Sequence, residues 1–241
     1  MIPTFDAAAV LRPTLEALVP GAVSGLVGQV IISDGGSTDP TLAIAEAAGA
    51  DVVAGQRGRG AQLARGAEAA RAPWLLFLHA DTVLAPGWED ETRRFISEAG
   101  EGCAASYRFR LDDGRWRARM VERIVALRSM LLALPYGDQG LLISRTLYRE
   151  VGGYRPMPLM EDVDLIRRIG RRRLTMLAHD AITSAARYRR EGYLKRTSRN
   201  AACVALWYAG MTPERLVKLY KPERLGEPAV THQGLIGKNR R

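Results

Sequence analysis

Apolar positions along this chain recur in two alternating rhythms. Short continuous runs, "MIPT", "QVIIS", "ADVVA" and "WLLFL", have the length and apolar content of buried strands. Between them lie "AAAVLRPTLEAL", "PTLAIAEAAGA" and "GAQLARGAEAARA", whose apolar residues fall three and four apart, as on one face of a helix. In the second of these, Asp39 is expected to cap the helix and Pro40 to fill its first position. The third is stopped near Pro73. This βα alternation predicts an α/β fold: a mostly parallel sheet with helices on both faces.

After residue 100 the rhythm loosens. "CAASYRFRL" alternates as a strand, and "RWRARMVERIVALRSMLLALP" reads as a long helix ending at Pro135. "QGLLIS" is a strand, "EDVDLIRRIGRR" a short helix, and "LTMLA" and "AITSA" two short strands. "YLKRTSRNAACVALWYAG" is an amphipathic helix, and "TPERLVKLY" opens on the helix-start residues Thr212, Pro213 and Glu214. No repeat or low-complexity linker interrupts the chain. The pattern predicts one domain over residues 1–190. Residues 191–241 form an irregular, helical carboxy-terminal part, packed on that domain or peripheral to it.

Composition narrows this picture. The 241 residues, 47% hydrophobic, suffice for one packed domain and exclude a disordered chain. A net charge of +9, carried mostly by arginine, suits an anionic partner such as a nucleotide phosphate, a phospholipid surface or a nucleic acid. Generic arginine-rich composition would give the same charge. Cys103 and Cys203 lie far apart, which speaks against a cysteine metal cluster and suits a reducing compartment. No basic-then-apolar leader opens the chain, and no apolar run reaches the ~18 residues of a membrane span. A cytoplasmic protein is expected, free or peripheral at the inner face of the cell membrane. Two segments, Met120–Leu134 and Leu194–Tyr208, pair an apolar stripe with arginines, as suits an anionic lipid surface. Packing on the core would produce the same pattern.

Candidate chemistry gathers where strands end. Asp34 follows "VIIS" and Asp81 follows "LLFLHA", so both belong at the carboxyl rim of a parallel sheet, where such folds bind ligands. Gly35 and Gly36 would let a ligand approach the backbone closely. Asp81 is a hard oxygen ligand for Mg²⁺ or Mn²⁺, with His79 a second donor, or else a turn residue. Glu161, Asp162 and Asp164 cluster after a proline-rich turn. They would favour a helix N-terminus, or place Asp162 or Glu161 as a general base. Arg187, Arg189, Arg190, Lys195 and Arg196 form either a solvated basic face or a clamp on a leaving diphosphate.

Taken in order, "IPTFDAA", "SDGGSTDPT", "GRGAQLARGAEAA", "LLFLHADT", "YGDQGLLISR", "MEDVDLIRRI" and a following arginine-tyrosine cluster resemble family 2 glycosyltransferases of the GT-A fold. The resemblance spans roughly residues 1–200. More narrowly, the chain resembles a small bacterial subgroup with an "LHADT" metal motif, the radical-SAM/selenodomain-associated type. The resemblance implies an inverting, metal-dependent, hexosyltransferase-like enzyme with a UDP-linked nucleotide-sugar donor and Mn²⁺ or Mg²⁺ as cofactor. Pro3, Thr4 and Asp6 would line the nucleotide pocket, with Asp34, Gly35 and Gly36 at the base. Arg59 and Gly60 would contact donor phosphate or base, and Asp81 would hold the metal. Asp138 and Gln139 would face the acceptor, Asp162 would be the catalytic base, and Arg187 and Arg190 would contact the diphosphate. Three positions depart from the family pattern. Asp6-Ala7 replaces Asn-Glu, His79 replaces the first acid of the metal motif, and Gln-x-x-Arg-Trp is absent. Family members also carry several apolar residues ahead of "IPT", so the first strand is expected to be clipped.

Two rivals remain. A sugar-phosphate nucleotidyltransferase would want a basic glycine-rich loop near the amino terminus, which "FDAAAVLRP" does not provide. A nucleic-acid-binding protein rests on charge alone, and carboxylates at the sheet rim would repel its phosphates.

Overall fold

In a computed structural model of the protein, residues 1–132 and 134–220 are described. The first elements follow the expected order: β1 (Ile2–Thr4), α1 (Ala8–Val23), β2 (Ile31–Asp34), α2 (Thr41–Ala47), β3 (Asp51–Ala54), α3 (Arg59–Ala69) and β4 (Trp74–Phe77). β1, β2 and β3 form a parallel sheet with β2 central, and all four β2 residues are buried. The Met1 amino group donates to Leu76 O at 2.8 Å, and Leu78 N donates to Met1 O at 3.0 Å. These two bonds lay β4 beside β1 and carry the sheet into its second half.

That half contains β5 (Thr82–Leu84), α4 (Trp88–Glu98), β6 (Ala104–Leu111), α5 (Trp116–Leu132), β7 (Leu141–Ser144), α6 (Arg145–Glu150), α7 (Glu161–Ile169) and β8 (Leu174–Thr183). Its order is β4-β7-β6-β8-β5. β6 and β8 run parallel, whereas β7 is antiparallel to β4 and β6, and β5 is antiparallel to β8. Parallel pairing therefore dominates the amino-terminal half, and the remainder is mixed.

Strand residues alternate between two cores, as the period of two requires. Leu75, Phe77, Leu141 and Ile143 face a layer containing Leu63 of α3, Leu147 of α6 and Val163 and Ile166 of α7. Leu78 and Leu142 face the opposite layer, with Leu11, Leu15 and Leu18 of α1 and Trp88 of α4. Trp88 is 1% exposed, and its indole N–H donates to Ala17 O at 3.0 Å. The chain continues through α8 (Ala186–Glu191), α9 (Tyr193–Tyr208) and α10 (Pro213–Tyr220). Cys203 of α9 and Leu216 of α10 are buried in the first core layer, so these helices share the sheet's core. Residues 221–241 of the expected tail, and Ala133 in the helix expected to run to Pro135, lie outside the described residues.

Some elements differ from expectation. "LTMLA" and "AITSA" form one ten-residue strand, β8, with an irregular register against β6 between Ser106 and Arg108. α2 begins at Thr41, with Pro40 at the N-cap position. Asp39 still serves two helix starts: Oδ1 accepts from Thr41 N at 3.0 Å, and Oδ2 accepts from Ala8 N at 3.0 Å.

Candidate active site

The glycine turn after β2 is built around Asp34, which is 1% exposed. Its Oδ1 accepts from the Thr4 hydroxyl at 2.8 Å and the Ser37 hydroxyl at 2.5 Å. Its Oδ2 accepts from Gly36 N at 2.8 Å and Ser37 N at 2.7 Å. Burial pushes this carboxyl up, but the bonds from Ser37, Thr4 and Gly36 together hold it below the ordinary range. Gly36 has φ +93°, a conformation that favours glycine. A Cβ at Gly35 would lie 3.1 Å from Gln62 Nε2, whose amide ties Thr4 O and Ser33 O together at 2.6 and 2.9 Å. Asp6, at φ 45°, bridges to the same turn, its Oδ1 accepting from Thr38 N at 2.8 Å. Arg57 lies 3.4 Å over the Phe5 ring beside Asp6.

α3 links this turn to a cleft: Gln62 bonds the backbone of Thr4 and Ser33, and Arg59, one turn earlier, lines the cleft. The end of β4 supplies His79 and Asp81, the turn before β7 supplies Tyr136 and Asp138, α3 supplies Arg59, and the start of α7 supplies Asp162. Thr14 of α1 donates to Ala80 O at 2.8 Å, fixing the segment that carries Asp81. Met160, immediately before α7, is held at φ 68°, a strained conformation for methionine that sets the entry angle of Asp162. Asp162 Oδ2 accepts from Gly137 N at 2.8 Å, and Oδ1 accepts from Val163 N at 2.8 Å. A Cβ at Gly137 would fall 2.6 Å from His79 Nε2 and 3.4 Å from Asp162 Oδ2, so only glycine lets these side chains close over the backbone. The opposite wall is helical: Arg187 and Tyr188 of α8, Arg196, Asn200 and Val204 of α9, and Tyr220 of α10.

Charge is divided across the cleft. Asp81, Asp138 and Asp162 stand at the sheet rim, facing Arg59, Arg187 and Arg196. Burial, reinforced by Arg59 and Arg187, outweighs Asp81 and Asp162 and pushes His79 down to about 4, so its imidazole is neutral near pH 7. Asp138 has a buried Oδ1 without a hydrogen-bond partner. Burial raises its carboxyl to about 6, against the pull of Arg128 and with help from Asp162 and Asp81. The folded state therefore favours protonated Asp138. That contribution to stability is complete below the ordinary carboxylate pKa and is lost as pH rises through about 6. In EDTA, Asp138→Asn is expected to unfold with the wild type at pH 4. Well above pH 6 it should be more stable by about 3 kcal/mol. Thermal melts across pH check this.

The structure brings Arg59, Asp81, Asp138, Asp162 and Arg187 to one cleft and leaves other expected site residues off its lining. Pro3, Thr4, Asp6, Asp34, Gly35 and Gly36 belong to the neighbouring turn at the ends of β1 and β2. Glu161 is 1% exposed, and its carboxylate pairs with Arg59, tying α7 to α3. Gln139 is also 1% exposed and faces inward. Its Oε1 accepts from the Ser129 hydroxyl at 3.1 Å, and its Nε2 donates to Tyr107 O at 3.0 Å. Gly60 is buried where α3 meets the backbone of Arg155 and Met157, too close for a side chain. Arg190 is exposed on α8 and is not a lining residue. Sequence reasoning missed Tyr136, Asn200 and Tyr220. Arg196, Asn200 and Val204 are spaced four apart, so helical periodicity alone would have put them on one face.

Known proteins agree with this architecture. The chain is similar to glucosyl-3-phosphoglycerate synthase from Mycobacterium tuberculosis, solved with Mn²⁺ and UDP-glucose. The identity is 23% and the TM-score 0.58, over 87% of this chain and 78% of that one. It is also similar to S. aureus TarS 1-349, at 14% identity and TM-score 0.59, over 91% of this chain and 68% of that one. At these identities the likeness is one of fold. No curated protein sequence matches the chain. The family model described as "Glycosyl transferase family 2" matches residues 1–195, and the chain belongs to that family.

Proposed function

We propose that this glycosyltransferase moves a sugar from a UDP-linked donor to an acceptor hydroxyl in one displacement that inverts the anomeric carbon. The observation that carries this reading is that Asp81 and Asp162, 81 positions apart in sequence, line one cleft that α3 links to the glycine turn. A transferase of this kind needs an anchor for a diphosphate and a base for a hydroxyl, separated by the width of a sugar.

The residues present fit a hard divalent cation, Mn²⁺ or Mg²⁺. Asp81 offers carboxylate oxygen, neutral His79 offers an imidazole nitrogen, and Asp138 Oδ1 is buried without a partner. Among the described residues no three such side chains are gathered to hold a metal by themselves. That suits a cation bound by one or two protein groups and completed by substrate phosphates. When bound, it would neutralise charge developing on the leaving diphosphate. The M. tuberculosis synthase solved with Mn²⁺ and UDP-glucose supports this choice of metal and donor.

The chain's own residues then divide the work. Asp162 takes the acceptor proton, its two oxygens aimed by Gly137 N and Val163 N. Arg187 brings positive charge to the diphosphate from the cleft wall, and Arg190, one turn on and off the lining, adds to the field at longer range. Arg59, locked to Glu161, supports the same charge from the other wall. Pro3, Thr4 and Asp6 shape the nucleotide pocket. Asp34 contributes the form of the glycine turn, because its oxygens already accept four bonds within it. Asp138 lines the acceptor side, and Gln139 holds the turn beneath it. Leu78–Thr82 carry the "LHADT" form on which the narrower subgroup assignment rests.

Incubation with UDP-glucose or other UDP-sugars is expected to release UDP in a Mn²⁺-dependent manner, with no pyrophosphate formed from UTP and sugar phosphate. Pyrophosphate without UDP would support a nucleotidyltransferase instead.

A further inference from the structure

No residue of α5 lines the cleft. At 100° per residue, Trp116, Met120, Ile124, Leu127 and Met130 fall within about 120° of arc. Four of them stand open: Trp116 is 68% exposed, Ile124 44%, Leu127 54% and Met130 66%. Leu194, near the start of α9, which packs against α5, is 65% exposed. The helix's other face is fully used. Ala118, Val121 and Val125 are buried with Phe109, Leu111, Tyr188 and Tyr193. Single exposed apolar residues need no explanation, but several on one helix face, interrupted there only by Arg123, mark an interaction surface.

The surrounding charge says what kind of surface. Arg117 is exposed beside the stripe, Arg123 is exposed within its arc and Lys195 is exposed next to Leu194, while Arg115 pairs with Asp113 at 3.7 Å. Glu122, the one acid of α5, is buried and paired with Arg110 at 2.8 Å and Arg119 at 2.7 Å. The open face of α5 therefore carries cations and no anion. A second copy docked here about a two-fold axis would set arginine against arginine. An anionic bilayer satisfies both features: the stripe enters the headgroup–acyl boundary, and the arginines meet lipid phosphates. Trp116 has the amphipathic ring favoured at that depth. Among the described residues no helix is long and apolar enough to cross a membrane, so α5 would lie along the surface.

We propose that the outer face of α5, together with Leu194, docks this enzyme on an anionic lipid bilayer. The cleft is close behind. Arg128 of α5 lies 3.4 Å over the ring of Tyr136, a cleft residue, and Tyr188 belongs both to the core beneath α5 and to the cleft wall. Docking holds the cleft within about a helix diameter, ~10 Å, of the lipid surface.

Vesicle flotation with the full chain tests this independently of transfer. The wild type is expected to float with phosphatidylcholine–phosphatidylglycerol vesicles and not with phosphatidylcholine alone, and added salt should release it. Vesicle binding should shift tryptophan emission to the blue, and Trp116→Phe should remove that shift. The double variant Leu127→Glu, Met130→Glu changes two open positions, so it should melt with the wild type yet bind anionic vesicles at least about tenfold more weakly. Three outcomes overturn the proposal. The wild type stays unbound, the double variant floats as the wild type does, or the wild type is a dimer that the same substitutions convert to a monomer.

Discussion

Asp162→Asn is expected to lower turnover by about 10²–10⁴-fold, the range set by loss of a positioned general base. Asparagine keeps the size of the side chain and, with its oxygen turned to Gly137 N, keeps the link between α7 and the turn before β7. The bond from Val163 N is the one put at risk, so stability should change by only about 1 kcal/mol. What asparagine cannot do is accept the acceptor's proton. Steady-state UDP release measures the first effect, and stabilisation by UDP with Mn²⁺ should remain close to wild type. Turnover within a few-fold of wild type would remove Asp162 from the mechanism.

Asp81→Ala is expected to separate metal from nucleotide. In the wild type, UDP with Mn²⁺ at about one hundred times its Kd adds roughly 2.7 kcal/mol by mass action. For a chain of this size that corresponds to a Tm rise of about 5–10 °C. Without Asp81 the cation loses its carboxylate anchor at the end of β4, and His79 alone is a weak site for a hard ion. The variant should keep the small shift that UDP gives in EDTA and lose most of the Mn²⁺-dependent remainder. Thermal melts in four conditions, with and without each ligand, check it. An undiminished Mn²⁺-dependent shift would place the metal elsewhere.

How far the fold could be read from sequence depended on where polar residues found partners. β2 was legible because "IISD" is buried along its whole length, as a central parallel strand should be. β8 was read as two strands because His179 and Asp180 interrupt its apolar pattern. In the structure His179 Nδ1 lies 2.8 Å from Glu91 Oε2, while Asp180 is bound by Arg108 at 2.5 Å and Arg110 at 3.2 Å. Those partners come from α4 and β6, so no local pattern could have supplied them. β5 was hidden because its three residues begin within the "LHADT" segment and depend on distant partners, pairing with β8 and packing Leu84 into the core with α1.

The site divides in the same way. Asp81 and Asp162 were legible because each follows a clear element boundary, a strand end or a helix start. Glu161 shows the limit of that rule. It sits one residue from Asp162, yet the first turn of α7 sends it inward to Arg59. The inward turn of Gln139 was equally hidden, since its partners Ser129 and Tyr107 lie 10 and 32 positions away.

The most direct test of the central claim is the electron paramagnetic resonance spectrum of Mn²⁺ mixed with the protein and UDP. If Asp81 anchors a cation that the nucleotide completes, a bound-Mn²⁺ spectrum should appear only when UDP is present, persist in Asp162→Asn and vanish in Asp81→Ala. A spectrum of bound Mn²⁺ that survives in Asp81→Ala, or one that never responds to UDP, would contradict it.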